Sequence, residues 1–131
     1  MAELKYPSDL KYTKSDEWIK VDGGEAVVGV TDYAQNALSD LVYVELPDVG
    51  ASFKQDASFG TVESVKAASD LHMPISGSVI AVNKDLLDSP EKINDDPYGT
   101  AWLVRIKPDN IAELNSLMDV TAYKAYCDER G

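Results

Sequence analysis

Apolar residues along this chain fall in short runs that alternate with polar ones or stop at turn residues. That is the pattern of strands rather than of long helices. Asp16-Glu17-Trp18-Ile19-Lys20-Val21 predicts a first strand and Ala26-Val27-Val28-Gly29-Val30 a second, joined as a hairpin across Asp22-Gly23-Gly24-Glu25. Thr31 and Asp32 then predict the cap of a short helix over residues 33–38. Residues 41–46 read as a strand stopped by Pro47, and residues 52–57 as a weaker one. Val62 and Val65 lie three apart, which predicts a bend or bulge between them. Pro74 argues against a central ladder position there, and Val79-Ile80-Ala81-Val82, apolar at both parities, predicts a strand buried on both faces.

Residues 83–99 carry Pro90, Pro97 and Gly99 and read as a long connection with one helical turn at 89–92. Residues 101–106 predict the last strand. Pro108-Asp109 predicts a helix start, with Ile111, Leu114 and Leu117/Met118 at helical spacing. Asp119 predicts the cap of a second helix over 121–130, with Tyr123 and Cys127 on one stripe. The order is many short strands, one small helix among them, and helices at the C-terminus. It predicts a mainly β fold, a compact sandwich or flattened barrel, with a helical appendix over about residues 108–130. The 131 residues fit a single domain, 1–131.

One stretch stands apart from this framework. Phe59-Gly60-Thr61-Val62-Glu63-Ser64-Val65-Lys66-Ala67-Ala68-Ser69-Asp70 predicts a hairpin whose small-residue turn lifts Lys66 into solvent. Two readings of Lys66 stand open: an ordinary turn lysine, or a covalent attachment point for a swinging prosthetic group. A carrier lysine needs an exposed amine, uncrowded neighbours and a root held rigidly by its strands. Val65, Ala67, Ala68 and Ser69 meet the second need, and the flanking strands meet the third. Acylation would remove the ammonium charge and take the formal net charge from −11 to −12. Many hairpins satisfy the same conditions, so spacing does not choose between the two readings.

Composition narrows the choice by exclusion. The net charge of −11 argues against a nucleic-acid partner, which needs a basic face. It fits a freely diffusing protein that must meet more basic partners quickly, and equally fits plain solubility. No apolar run approaches the roughly 18 residues of a membrane span. Met1-Ala2-Glu3-Leu4-Lys5-Tyr6-Pro7 has neither a signal h-region nor an Arg-rich transit pattern. The expected location is cytoplasmic, or the mitochondrial matrix if a leader has been removed. Cys127 is the single cysteine and His72 the single histidine, which rules out an internal disulfide and makes a protein-built zinc site unfavourable.

No phosphate loop, nucleophile–base set or metal cluster is present in the sequence, so it points away from self-contained catalysis. His72 reads as an exposed loop histidine that could titrate near neutrality. Cys127 and Trp18 read as packing residues. By strand parity Glu17 shares a side with Ile19 and Val21. It lies either in water at the strand end or at the rim of an apolar groove.

Gly60-Thr61-Val62-Glu63-Ser64-Val65-Lys66-Ala67, followed by Ser69-Asp70 and Pro74-Ile75-Ser76-Gly77, closely resembles the lipoylation segment of the glycine cleavage system H-protein. The likeness spans roughly residues 10–126. It includes Tyr12-Thr13-Lys14-Ser15-Asp16-Glu17-Trp18, Gly29-Val30-Thr31-Asp32-Tyr33-Ala34-Gln35 and Val44-Glu45-Leu46-Pro47-Asp48-Val49-Gly50. Val82-Asn83 and Asn94-Asp95-Asp96-Pro97-Tyr98-Gly99 complete it. Several blocks in the family's order and spacing are more specific than one lysine hairpin.

The resemblance implies a lipoyl/biotinyl-type barrel-sandwich hybrid with a short internal helix and C-terminal helices. It implies a non-catalytic carrier bearing lipoic acid on Lys66. Its partners would be glycine decarboxylase, which loads an aminomethyl group, aminomethyltransferase, which unloads it, and dihydrolipoamide dehydrogenase, which reoxidises the arm. A lipoate ligase or lipoyltransferase would attach the group, with Glu63 as its recognition residue. Glu17 would face the loaded amine in a groove, with Ser64 and Asp70 as further groove or recognition candidates.

This chain departs from the family pattern at Asp16 and Tyr33, where histidine is common, and at Thr100-Ala101-Trp102, where the approach to Trp is usually richer in glycine. Tyr33 puts a histidine role in the groove in doubt. Two rival functions remain to be weighed. A biotin carrier would favour Met on both sides of the lysine, where Val65 and Ala67 stand. A regulatory binding module, or a relay passing lipoyl or octanoyl groups to other complexes, is the other, and arm transfer to a second acceptor would reveal it.

Overall fold

β-Branched and aromatic runs separated by Gly, Pro and Asp turns give this chain nine strands among the residues described, 4–130, in a computed structural model. Residues 1–3 of the N-terminal stretch read for targeting signals lie outside them. β1 (Lys11–Tyr12), β2 (Glu17–Asp22) and β3 (Glu25–Val30) lead to the short helix α1 (Asp32–Leu38). There follow β4 (Leu41–Glu45), β5 (Ser52–Phe53), β6 (Ser58–Ser64), β7 (Ala68–His72) and β8 (Gly77–Val82). Two small helices, α2 (Asp85–Asp88) and α3 (Lys92–Asp95), precede β9 (Val104–Pro108). The chain closes with a 3-10 turn at Ile111–Ser116 and helix α4 (Val120–Arg130).

All pairings are antiparallel. One sheet runs β1-β2-β3-β9-β8-β5 and the other β4-β6-β7. Ile19, Val28, Val44, Val62, Leu71, Val79, Leu103 and Ile106 are buried together in the main core. Each such side chain contributes about 1.5–3 kcal/mol through its removal from water. A second cluster joins Leu10, Tyr12, Trp18, Tyr123 and Cys127 beneath α4. The mainly β fold with a short internal helix is therefore as expected, and Trp18 and Cys127 are packing residues.

Several local expectations are corrected. The irregularity expected between Val62 and Val65 is a register shift of the β4–β6 ladder at Glu63 and Ser64, with the extra residue on β4 between Leu41 and Tyr43, and the β6–β7 ladder shifts a second time between Ser58 and Gly60. Gly60 lies where an added Cβ would clash with the Glu45 carbonyl oxygen, so β4 and β6 can approach only without a side chain there. Val65 has no core position to satisfy, because it is exposed in the turn. β8 is not buried on both faces: a shift between Val79 and Ala81 turns Ile80 outward. The weak strand over 52–57 shortens to Ser52–Phe53.

The connection over 83–99 holds two helical turns rather than one, because Leu86 and Ile93 each reach the core. Pro108 ends β9, opposite Gly77, instead of opening a helix. The first C-terminal helix is only the 3-10 turn, which leaves Ile111 half-exposed. The caps of α1 and α4 are as the sequence predicts. Thr31 Oγ1 accepts from Ala34 N–H, and Asp119 Oδ1 accepts from Ala122 N–H.

Candidate functional site

β6 and β7 pair down to Glu63 and Ala68, leaving a tight connection around Val65 and Lys66. Its backbone N–H groups are all bonded. Ser64 N–H donates to the Ala67 carbonyl at 2.7 Å, and Val65 N–H donates to the Asp40 carbonyl at 3.1 Å. The Ser64 hydroxyl accepts from the N–H groups of Lys66 (3.2 Å) and Ala67 (3.0 Å) and donates to the Ala67 carbonyl. Such side-chain–backbone bonds are how serine fixes a turn. Ser64 is thus engaged within the turn itself.

Every side chain from Val65 to Asp70 is exposed. Among the described residues Lys66 forms no salt bridge. The turn therefore combines a fixed root with a free amine and small neighbours, which is what an acylated lysine requires. Glu63 is exposed on β6, paired between Tyr43 and Ala68. Asp70 is exposed on β7 opposite Thr61, and by parity shares a face with His72.

Glu17 is neither in water nor at an open rim: it is 1% exposed at the start of β2, opposite Val30. Its carboxylate is held from three sides. Oε1 accepts from Thr13 Oγ1 at 2.7 Å and Ser15 Oγ at 2.5 Å, while Oε2 accepts from the His72 backbone N–H at 3.1 Å. Burial disfavours the charged form more strongly than these donors favour it, and the carboxyl is raised to about 7. The His72 ring lies alongside, with Nδ1 3.9 Å from Oε2. Thr13, Ser15 and His72 were not read as partners of Glu17, although hydroxyls at alternate positions ahead of a carboxylate are a usable signal.

Above this group opens a cleft of about 450 Å³ between residues 12–15, Gln55 and Asp56, His72, and residues 116–118. Its lining mixes Tyr12, Leu117 and Met118 with hydroxyls and charges rather than forming a purely apolar groove. β7 connects the Lys66 turn to His72 at the cleft wall.

Two of the three departures from the family pattern, Asp16 and Tyr33, meet elsewhere. Arg130 near the end of α4 donates to both oxygens of Asp16, at 3.1 and 2.7 Å. The same guanidinium lies 4.0 Å from the ring centroids of Tyr33 and Tyr126. Tyr33 thus belongs to a C-terminal latch and is not among the residues lining the cleft.

Comparison with known proteins agrees with this arrangement. A family model described as "Glycine cleavage H-protein" matches residues 10–130. The chain is 52% identical over 127 residues to a glycine cleavage system H protein of Anaeromyxobacter sp. (strain K), covering 97% of this chain and 99% of that one. It is 48% identical over 125 residues to one of Carboxydothermus hydrogenoformans, covering 95% and 96%. A crystal structure of a glycine cleavage system H protein from Mycobacterium marinum superposes with a TM-score of 0.85 at 40% identity, covering 92% of this chain and 97% of that one.

Proposed function

Because the chain belongs to the glycine cleavage H-protein family, the non-catalytic lipoyl carriers of the glycine cleavage system, we propose that Lys66 bears its lipoic acid in amide linkage. In this reading the whole chain works as one carrier domain. It takes the aminomethyl group from glycine decarboxylase to aminomethyltransferase and electrons to dihydrolipoamide dehydrogenase. When attached, lipoic acid supplies a disulfide able to accept both the one-carbon unit and electrons. The bacterial relatives support the cytoplasm as the place of work.

The observation that carries the reading is the turn itself. An exposed, unpaired lysine stands on a backbone whose N–H groups at Ser64, Val65, Lys66 and Ala67 are all bonded. A long tether gains reach only if its root stays fixed. Glu63, exposed three residues before Lys66 on the adjoining strand, is placed to be read by a lipoate ligase or lipoyltransferase. Asp70 and the cleft beside His72 give a folded-back arm a polar path along β7, and Ser64 serves that path by holding the turn. Glu17, the one buried carboxylate among the described residues, lies at its end, and a carboxylate there would receive the amine of a loaded arm.

A reconstituted glycine cleavage assay tests the reading. Lys66→Ala should keep the wild-type circular dichroism spectrum, because its side chain touches no core residue, and should support no glycine decarboxylation. Retained decarboxylation would overturn it.

A further inference from the structure

His72 is left over by the account so far. Its Nδ1 is buried yet has no hydrogen-bond partner, an unusual condition for a ring nitrogen. The nearest charge is Glu17 Oε2 at 3.9 Å, and Glu17 has no other cationic neighbour among the described residues. The His72 backbone N–H already anchors that same oxygen, which keeps the carboxylate beside the residue that carries the ring. About a third of the His72 side chain faces solvent at the cleft, whereas Glu17 is covered. To reach Glu17 from the cleft, a ligand must pass the imidazole or the hydroxyls of Thr13 and Ser15.

We propose that His72 is a positioning residue for the arm: its imidazolium pairs with Glu17 and closes the site, and its neutral ring yields Glu17 to a cationic amine. A neutral ring with its proton on Nε2 presents a lone pair towards the carboxylate, which holds nothing. A proton on Nδ1 turns the same approach into an ion pair. The arm's amine and the imidazolium then compete for one carboxylate. The inference rests on the reading that a loaded arm folds back to Glu17.

The surrounding groups do not replace His72 in this role. Asp16, on the same loop, disfavours charge on Glu17 but is itself held by Arg130 and Tyr123. Lys14 and Asp56 line the cleft with opposite charges and form no bond to Glu17.

The chain has a single histidine, so its ring signals need no assignment. Their titration by NMR is followed in unlipoylated protein, in Glu17→Gln, and in lipoylated protein loaded with the aminomethyl group. Glu17→Gln should lower the His72 midpoint by at least about half a pH unit, the sign expected on losing a neighbouring anion. Loading should lower it similarly, because the amine takes the carboxylate. A midpoint unmoved by Glu17→Gln overturns the inference while leaving the carrier role of Lys66 standing. A midpoint lowered by Glu17→Gln but unmoved by loading overturns the folding-back of the arm to Glu17, and the competition with it. Should Glu17→Gln fail to fold, His72→Gln gives the reciprocal reading. The Glu17 carboxyl midpoint should then rise by a comparable amount, and no rise overturns the pairing.

Discussion

At the scale of single residues, Glu17 shows how a local environment changes what a side chain can do. A carboxyl with the ordinary value of 4.5 is raised to about 7 by burial, against the pull of three donors. The folded state therefore binds this proton more tightly than the unfolded chain does. Its stabilising contribution is complete below about pH 4.5 and is lost as pH rises to about 7. The loss is on the order of 3 kcal/mol, at about 1.4 kcal/mol per unit. Glu17→Gln removes the titration, so its stability relative to wild type should climb between pH 4.5 and 7 and level off above. Urea unfolding of both proteins across that range measures the difference, and a difference constant with pH would contradict the burial argument. The exposed turn at Lys66 was legible in the sequence because turn chemistry and flanking strands are local. The burial of Glu17 was not, because its donors come from the loop of Thr13 and Ser15 and from residue 72, far along the chain.

At the scale of elements, α4 is fastened by few but specific contacts. Tyr123 stacks on Tyr12 with ring centroids 4.5 Å apart and donates its hydroxyl proton to Asp16 Oδ1. Arg130 then bridges Asp16 bidentately and covers Tyr33 and Tyr126. Asp16 itself adopts a left-handed conformation, φ 73°, which an Asp tolerates better than most residues. Arg130→Ala should destabilise the protein by about 1–2 kcal/mol, combining lost cation–π and bidentate contacts, most of it as fraying of α4. Amide hydrogen exchange should show faster exchange over residues 120–130 with the β6–β7 hairpin unchanged; equal exchange in the two proteins would mean that the latch holds nothing. The strands and caps were legible from alternation and from Thr31 and Asp119. The 3-10 turn was not, since Ile111, Leu114 and Leu117 fit helical spacing while only the last two pack on the core. β8 was misread because a bulge changes the parity of Ile80, which composition cannot reveal.

At the scale of the molecule, two sheets enclose the core, and the exposed turn of the β6–β7 hairpin carries the lysine. The paired strands keep that root still, and the chain as a whole carries a formal charge of −11. The class of fold followed from element order, whereas the division into six- and three-stranded sheets depended on β9 inserting between β3 and β8, a long-range pairing. The central claim is that one residue, Lys66, bears the lipoyl group. It is tested most directly by intact-mass spectrometry before and after incubation with lipoate, ATP and a lipoate ligase. Wild type should gain the mass of one lipoyl group, located by peptide mapping on Lys66, and Lys66→Arg should gain none. A wild-type chain that stays unmodified, or a Lys66→Arg chain that still acquires the group, would contradict the account.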